Sequence, residues 1–222
     1  MSYTLDFGGI WEYRGYLVQG IVGTLRLTAL GTVVGVTIGT LGAVSRAWKL
    51  PGFRQFYTGY VELIRNTPFI VQLFFVFFGL PSLGIKLNEW QAATLAMVIN
   101  LGAYSTEIIR SGIEAIPKGQ IEAALALAMS RSQIFFHVVL RQALLKVWPA
   151  LSSQIVIVML GSSVCSQISA EELTFGANFI QSRTFRALEV YVLAALVYIL
   201  LALLLRQVLS AFGRFVLQRC SA

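Results

Sequence analysis

Residues Gly119–Pro149 read GQIEAALALAMSRSQIFFHVVLRQALLKVWP, and this stretch decides the fold. Pro117 and Gly119 punctuate a turn. Ile121–Met129 is rich in Ala and Leu, which are good helix formers, so a short helix is expected there. Ser130 followed by Gln133 has the spacing of a capping box, which predicts a second helix from Arg131. The stretch is basic, with Arg131, Arg141 and Lys146. The segments on either side, Trp90–Thr106 and Val147–Ala170, carry no Asp, Glu, Lys or Arg. They are too long and apolar to be anything but membrane spans. A basic helical segment held between spans on the cytoplasmic side is placed to touch a soluble partner.

Outward from there, the chain has 57% hydrophobic and only 12% charged residues, with a mean hydropathy of +0.75. A soluble domain of 222 residues needs more polar surface than that. Leu27–Ser45, Asn66–Ile85 and Val190–Leu205 are also free of charge. With interfacial residues added, each neutral stretch reaches the roughly 20 residues that cross a hydrocarbon core of about 30 Å. The expectation is an all-α membrane protein with five spans, near residues 17–46, 58–82, 88–111, 142–165 and 189–212. A segment 1–16 precedes them, a loop 112–141 separates the third from the fourth, and a tail 215–222 closes the chain.

Orientation follows from the cations. One set of connections holds Arg46, Lys49, Arg54 and Arg65, then Arg110, Lys118, Arg131, Arg141 and Lys146, then Arg206, Arg214 and Arg219. The other holds Arg14, Lys86, Arg183 and Arg186, with Arg26 near a span mouth. The positive-inside rule puts the first set in the cytoplasm, so the N-terminus is outside and the C-terminus inside. Topology and anionic lipid account for the net charge of +7, which is then no argument for nucleic-acid binding. Residues 1–16 contain Asp6 and Glu12 and lack the basic start and apolar core of a cleavable leader. Cys165 and Cys220 are expected near opposite faces, too far apart to pair. His137 is the only histidine, which argues against a histidine-based metal site.

Within the spans, Gly31, Gly35 and Gly39 recur every four residues beside Thr24, Thr28 and Thr32, a face suited to close helix packing in lipid. Glu62 and Arg65 are three apart and can pair on one helical face, and Pro68 suits a first turn or a kink. Asn100, Tyr104, Glu107 and Ser111 form a polar stripe down the third span. Such a stripe faces protein or a watery path, or Glu107 simply pairs with Arg110 near the headgroups. In the fourth span, Ser162, Ser163 and Ser166 follow Gly161. Either they interrupt a broken span that lines a path, or the helix ends near Gly161 and they belong to an outer loop.

These residues resemble the permeases of ATP-binding-cassette importers, in the polar amino-acid branch. The family's EAA loop is matched by Glu122, Ala123 and Ala124, continuing through Ser130–Arg131, His137–Leu140, Gln142–Leu144 and Pro149–Leu151. The branch is marked by ELIRNTPFIVQLFFVFFGLP at Glu62–Pro81 and GAYSTEIIRSGIEAIPKGQIEAA at Gly102–Ala124. The likeness runs from about Tyr16 to Arg214. It implies a type I importer transmembrane domain over 17–214, in a bacterial inner membrane, moving a polar amino acid inward. The resemblance further implies two cassette ATPase subunits, a second permease (the same or a homologous chain) and an extracytoplasmic amino-acid-binding protein. ATP and Mg would be bound by the ATPases, and this permease would bind no cofactor and catalyse nothing. Coupling to the ATPase would fall to Gly119, Glu122, Ala123, Ala124, Ala128, Ser130 and Arg131. The substrate path would draw on Asn100, Tyr104, Glu107, Ser162, Ser163 and Ser166. Three positions depart from the family pattern: Ala128 replaces a usual Gly, Arg141 a usual Pro, and Leu160–Gly161 a usual Lys–Asp pair.

Two other classes compete. An ion-driven carrier would have more spans, inverted repeats and several buried acids, whereas Glu107 is the sole strong candidate here. A membrane enzyme would need a nucleophile or carboxylate beside His137, and none is apparent.

Overall fold

The computed structural model describes residues 5–218, so Arg219, Cys220 and the end of the 215–222 tail lie outside the described residues. After a one-turn helix, Gly8–Trp11, the order is α1 Arg14–Ala47, α2 Phe53–Arg65, α3 Phe69–Ser82, α4 Glu89–Glu114, α5 Lys118–Ala126, α6 Arg131–Ile168, α7 Leu173–Thr184 and α8 Ala187–Phe212. No strand occurs among the described residues. Four helices are long and apolar enough to cross a membrane, α1, α4, α6 and α8, and α2 with α3 makes a fifth if the bent pair counts as one span.

Three features differ from the expectation. The segment 58–82 is not one helix. Helix α2 stops at Arg65, Pro68 is extended (ψ 141°), and α3 starts anew at Phe69. Proline disfavours the helical conformation in the residue before it and has no N–H to give the preceding turn. Second, α6 is a longer run than 142–165. It begins at the capping box, where the Ser130 hydroxyl accepts from the Gln133 N–H at 3.3 Å and the Gln133 side chain accepts from the Ser130 N–H at 2.8 Å. It passes through a π-helical turn at Ile134–Val139, is α-helical over Leu140–Gly161, and ends as a tighter 3-10 stretch at Ser162–Ile168. Helix continues through Arg141, so no break falls there. Third, α7 occupies residues expected to be connection, started by the Glu172 carboxylate accepting from the Phe175 N–H at 2.8 Å.

The chain forms two compact units. The first gathers the described residues of Met1–Thr32 with Thr67–Val98 and Val156–Leu205. Its core holds Ile10, Ala177, Ile180, Val190 and Ala194, with a second patch of Met159, Leu173 and Leu201. Here α7 lies against the start of α1 at backbone distance. A Cβ at Gly20 would stand 2.7 Å from the Leu173 Cα, and one at Gly176 2.7 Å from the Tyr16 carbonyl oxygen. Only glycine fits both places. Because lipid is as apolar as leucine, such van der Waals proximity stabilises helix contacts where a hydrophobic driving force is weak. By contrast, Gly31 leaves ordinary room, 3.5 Å to the Met97 Cβ.

The second unit gathers Val33–Asn66, Ile99–Ile155 and the described residues of Arg206–Ala222. Its core joins Ala43, Ile109, Ile113, Ile116, Ala124, Ile134, Phe135, Val139 and Ala143. Trp48 closes it edge-on to Phe135, ring centres 5.3 Å apart. A Cβ at Gly112 would stand 2.7 Å from Val147 Cγ1, and the Trp148 indole donates to the Leu209 carbonyl at 2.9 Å. The Gly39 position of the small-residue face lies in this unit, packed so closely on Ser105 that a side chain would overlap it.

Candidate coupling helix and polar cleft

The short helix α5 is a slender element resting on the buried Ala124, with the half-buried Ile121 packed beside it. Ala124 is 4% exposed and belongs to the second unit's core, while Glu122, Ala123 and Ala126 are exposed. Leu125 and Leu127 are 54% and 77% exposed, a large apolar presentation for one nine-residue helix and its cap. The Gln142 amide donates to the Gln120 side chain at 2.8 Å, and the Lys146 ammonium donates to the Ala115 carbonyl at 2.8 Å. The helix is thereby tethered at its start and left open along its outer face. An apolar cavity of about 280 Å³ adjoins it, lined by Trp48, Ile121, Leu125, Arg131 and Ile134.

Placement separates the residues named for coupling. Glu122 and Ala123 face outward, Ala124 anchors the helix, Ser130 caps α6, and Arg131 borders the cavity. Glu122 does not sit in the first helical turn, because the helix starts four residues earlier at Lys118. The helix-dipole effect fades within one turn, so it does not explain a carboxylate there. Ala128 is a different case from a close-approach site. Its φ is +55°, and the Ala128 N–H bonds the Leu125 carbonyl while the Met129 N–H bonds the Ala124 carbonyl. That is a Schellman ending, whose left-handed position suits glycine, and alanine there costs about 1 kcal/mol.

Tyr104 and Glu107 of the polar stripe line a cleft of about 370 Å³ with Arg46, Val61, Glu62, Arg65 and Asn66. The Glu107 carboxylate is ion-paired with Arg46 and with Arg110 (Nη2 to Oε2, 2.8 Å). Arg110 continues to both carboxylate oxygens of Glu114 at 2.7 Å. The Arg110 pairing is thus present, and so is the cleft. The expected Glu62–Arg65 pair does not form. Arg65 instead lies over the Tyr104 ring, 5.4 Å from its centre, within cation–π range. The Tyr60 hydroxyl donates to the Ile99 carbonyl at 2.6 Å. Asn100 is half-buried and is not among the cleft's lining residues, and Ser111 is exposed, donating to the Ile108 carbonyl at 2.7 Å.

The fourth-span serines belong to the first unit, and Asn100, Tyr104 and Glu107 to the second. The serine hydroxyls donate one turn back along their own helix: Ser162 to Met159, Ser163 to Leu160 and Ser166 to Ser163, at 2.6–2.8 Å. This back-bonding accompanies the change from α to 3-10 winding after Gly161. Sequence reasoning missed the strongest polar cluster of the first unit. Glu172 is fully buried, accepts the Tyr198 hydroxyl at 2.5 Å, and has Thr174 and Thr24 alongside. It lies in the connection between α6 and α8, outside the candidate spans. Burial pushes its carboxyl up to about 7, against the opposing pull of the Tyr198 hydroxyl and the N–H groups at the start of α7. Three or more His, Cys, Asp or Glu side chains placed to hold a metal do not occur among the described residues.

Residues 31–220 match the family described as binding-protein-dependent transport system inner membrane component. The chain is 35% identical over 199 residues to the L-cystine transport system permease protein TcyB of Bacillus subtilis, covering 89% of this chain and 85% of that one. It is 33% identical over 211 residues to the glutamine transport system permease protein GlnP of Escherichia coli, covering 94% and 96%. Among solved structures it is similar to an amino acid ABC transporter crystallised with histidines, with a TM-score of 0.85, 34% identity, and 96% and 99% of the two chains covered. An inward-facing methionine ABC transporter shares the fold, with a TM-score of 0.78 at 21% identity.

Proposed function

We propose a function from one premise: this chain belongs to the family of binding-protein-dependent transport system inner membrane components, the permeases of ATP-binding-cassette importers. In our reading it is the multi-pass subunit that moves a polar amino acid into a bacterial cell across the inner membrane. The domain is residues 17–214, with the N-terminus outside and loop 112–141 in the cytoplasm. An extracytoplasmic binding protein delivers the amino acid. A second permease, the same chain or a homologue, completes the pathway, and two cassette ATPases hold the ATP and Mg. This chain contributes no catalytic group.

The observation that carries the reading is the exposure of α5. A helix seated on Ala124 and Ile121, presenting Glu122, Ala123, Leu125 and Leu127, is what a lever needs: firm attachment at one side and an open apolar face with one charge at the other. Gly119 leaves the first turn of α5 slim, and the capped start of α6 at Ser130–Arg131 passes its movement to a span. Closure of the ATPases on ATP pushes α5, and the spans follow. Tyr104 and Glu107, with Asn100 and the serines at 162, 163 and 166, contribute to the path.

Glu122→Arg tests the coupling. The side chain is exposed, so folding and membrane insertion are retained. In proteoliposomes containing the whole transporter, ATP-driven uptake falls at least about tenfold, as expected for inverting a charge at a docking contact. Uptake at the unaltered rate overturns the docking role of α5.

A further inference from the structure

We infer that the segment Leu5–Trp11 and the corner between α7 and α8 form an interfacial foot, an apolar patch that enters the headgroup–acyl boundary of a phospholipid bilayer. The segment precedes the candidate span α1, and the corner opens the candidate span α8. The inference depends on those spans crossing a membrane and not on what the chain transports.

The two parts are pinned to each other. Ile10, the one buried side chain of the segment, is packed in the first unit's core with Ala177 and Ile180 of α7 and Val190 and Ala194 of α8. The Asp6 N–H donates to the buried Glu189 carboxylate at 3.2 Å, and the Arg186 guanidinium reaches both Asp6 and Glu189 at 3.3 Å. With Ile10 turned inward, the larger apolar residues of the segment are left outside. Trp11 is 70% exposed, and Leu5 and Phe7 are exposed beside it in the chain. At the corner, Leu188 is exposed and Phe185 is 85% exposed. Phe185 also has φ +56°, a left-handed conformation that its side chain disfavours, so the corner holds an aromatic ring outward against its backbone preference.

What covers the patch follows from its surroundings. On α8, Leu188 heads a stripe of exposed apolar residues, Val192, Leu196 and Ile199, spaced three or four apart on one face of a candidate span. After Trp11, the residues Val18, Val22 and Leu25 make a similar stripe on α1. In a bilayer such faces meet acyl chains, and the patch continues them past the ends of the helices. Its chemistry is that of an interfacial segment, a Trp ring 5.9 Å from the Arg14 guanidinium, accompanied by Phe and Leu. Charge gives a soluble partner little to select. Asp6, Arg186 and Glu189 engage one another, while Arg14 and Arg183 lie over the Trp11 and Phe179 rings. With Glu12 counted, the three acids match the three cations. The foot therefore inserts by apolar area, and its depth does not depend on anionic lipid.

The test reads tryptophan fluorescence of the assembled transporter in vesicles of phosphatidylcholine and phosphatidylglycerol. Trp11→Phe removes one exposed indole and leaves the core intact. The difference between the unaltered protein and this variant is therefore the signal of Trp11. That signal should be quenched at least about twofold more by lipid brominated near the headgroup end of its acyl chain than by aqueous iodide, as befits a ring about 5–10 Å into the boundary. Lipid brominated near the chain end should quench it less. Phe185→Trp in the Trp11→Phe protein moves the reporter to the corner and should return the same depth, because the two parts are pinned. Neither depth should change with the phosphatidylglycerol content. Should Trp11→Phe not assemble, Phe185→Trp in the otherwise unaltered chain decides by the same contrast. A reporter quenched by iodide and untouched by brominated lipid overturns the inference, because the ring then stands in water. Protection from both quenchers also overturns it, because a second permease or a soluble protein then covers the patch. So does a depth that follows the phosphatidylglycerol content.

Discussion

Glu107 and Glu172 are carboxylates in a chain with only ten acids, and the two compact units satisfy them in opposite ways. In the second unit, Glu107 sits between the guanidinium groups of Arg46 and Arg110. In the first, Glu172 is fully buried, and among the described residues no cation pairs with it. A tyrosine hydroxyl and the open end of α7 supply its hydrogen bonds. An acid between two guanidinium groups has its charge matched by charged hydrogen-bond donors. One held only by neutral donors can keep or release its proton near neutral pH. The difference assigns each unit a character: a salt-linked polar cleft in one, and a proton-sensitive helix junction in the other.

The largest effect is expected at Glu107. Its replacement by Leu leaves Arg46 and Arg110 facing each other without their shared anion, a loss of about 3 kcal/mol, read as a fall in the thermal unfolding midpoint. Replacing Arg46 by Met in the same protein should recover most of that loss, because the orphaned charge is what costs. If the double variant is no better than the single one, Glu107 is not held by its charge.

Glu172 predicts a pH dependence instead. Its carboxyl is raised from 4.5 to about 7 in the folded chain, so the folded state binds the proton more tightly than the unfolded chain does. The associated stability is complete below about pH 4.5 and is lost as pH rises through 7. Glu172→Gln keeps an acceptor for Tyr198 but has no proton to lose. It should flatten this slope and be more stable than the unaltered chain at pH 8.5 by roughly 2–3 kcal/mol. Parallel unfolding midpoints for the two proteins from pH 5 to 8.5 would show that Glu172 does not titrate in this range. The smallest effect belongs to Ala128. Glycine relieves the left-handed strain and adds about 1 kcal/mol, with the pH slope unchanged. A destabilised Ala128→Gly would mean that the side chain makes a contact worth more than the backbone strain.

What could be read without the fold was what neighbouring residues decide. The Ser130–Gln133 capping box needs only atoms three residues apart, and it is present as expected. The apolar stretches likewise declare their own helices, since each must satisfy its backbone internally wherever it meets lipid. Helix α7 was not legible, because Glu171–Glu172 looks like a solvated connection until Tyr198, 26 residues on, is seen to cover the carboxylate. Arg46 counted only toward topology, because its partner Glu107 is 61 residues away. Gly161 and the serines after it left a broken span and a helix end both open, and the winding in fact tightens from α to 3-10 there, with the serine hydroxyls bonding their own helix.

Sequence alone determined that the chain is helical, that it has stretches able to cross a bilayer, and that a short alanine-rich helix precedes a capped one. Those follow from local propensity and from the cost of bare backbone in hydrocarbon, which act within a few residues of one another. Tertiary structure decided which side of the short helix is free, where the cleft's charges meet, and which acid is buried without a cation. Each of those depends on residues far apart in sequence coming within ångströms of one another, and only packed helices bring them there.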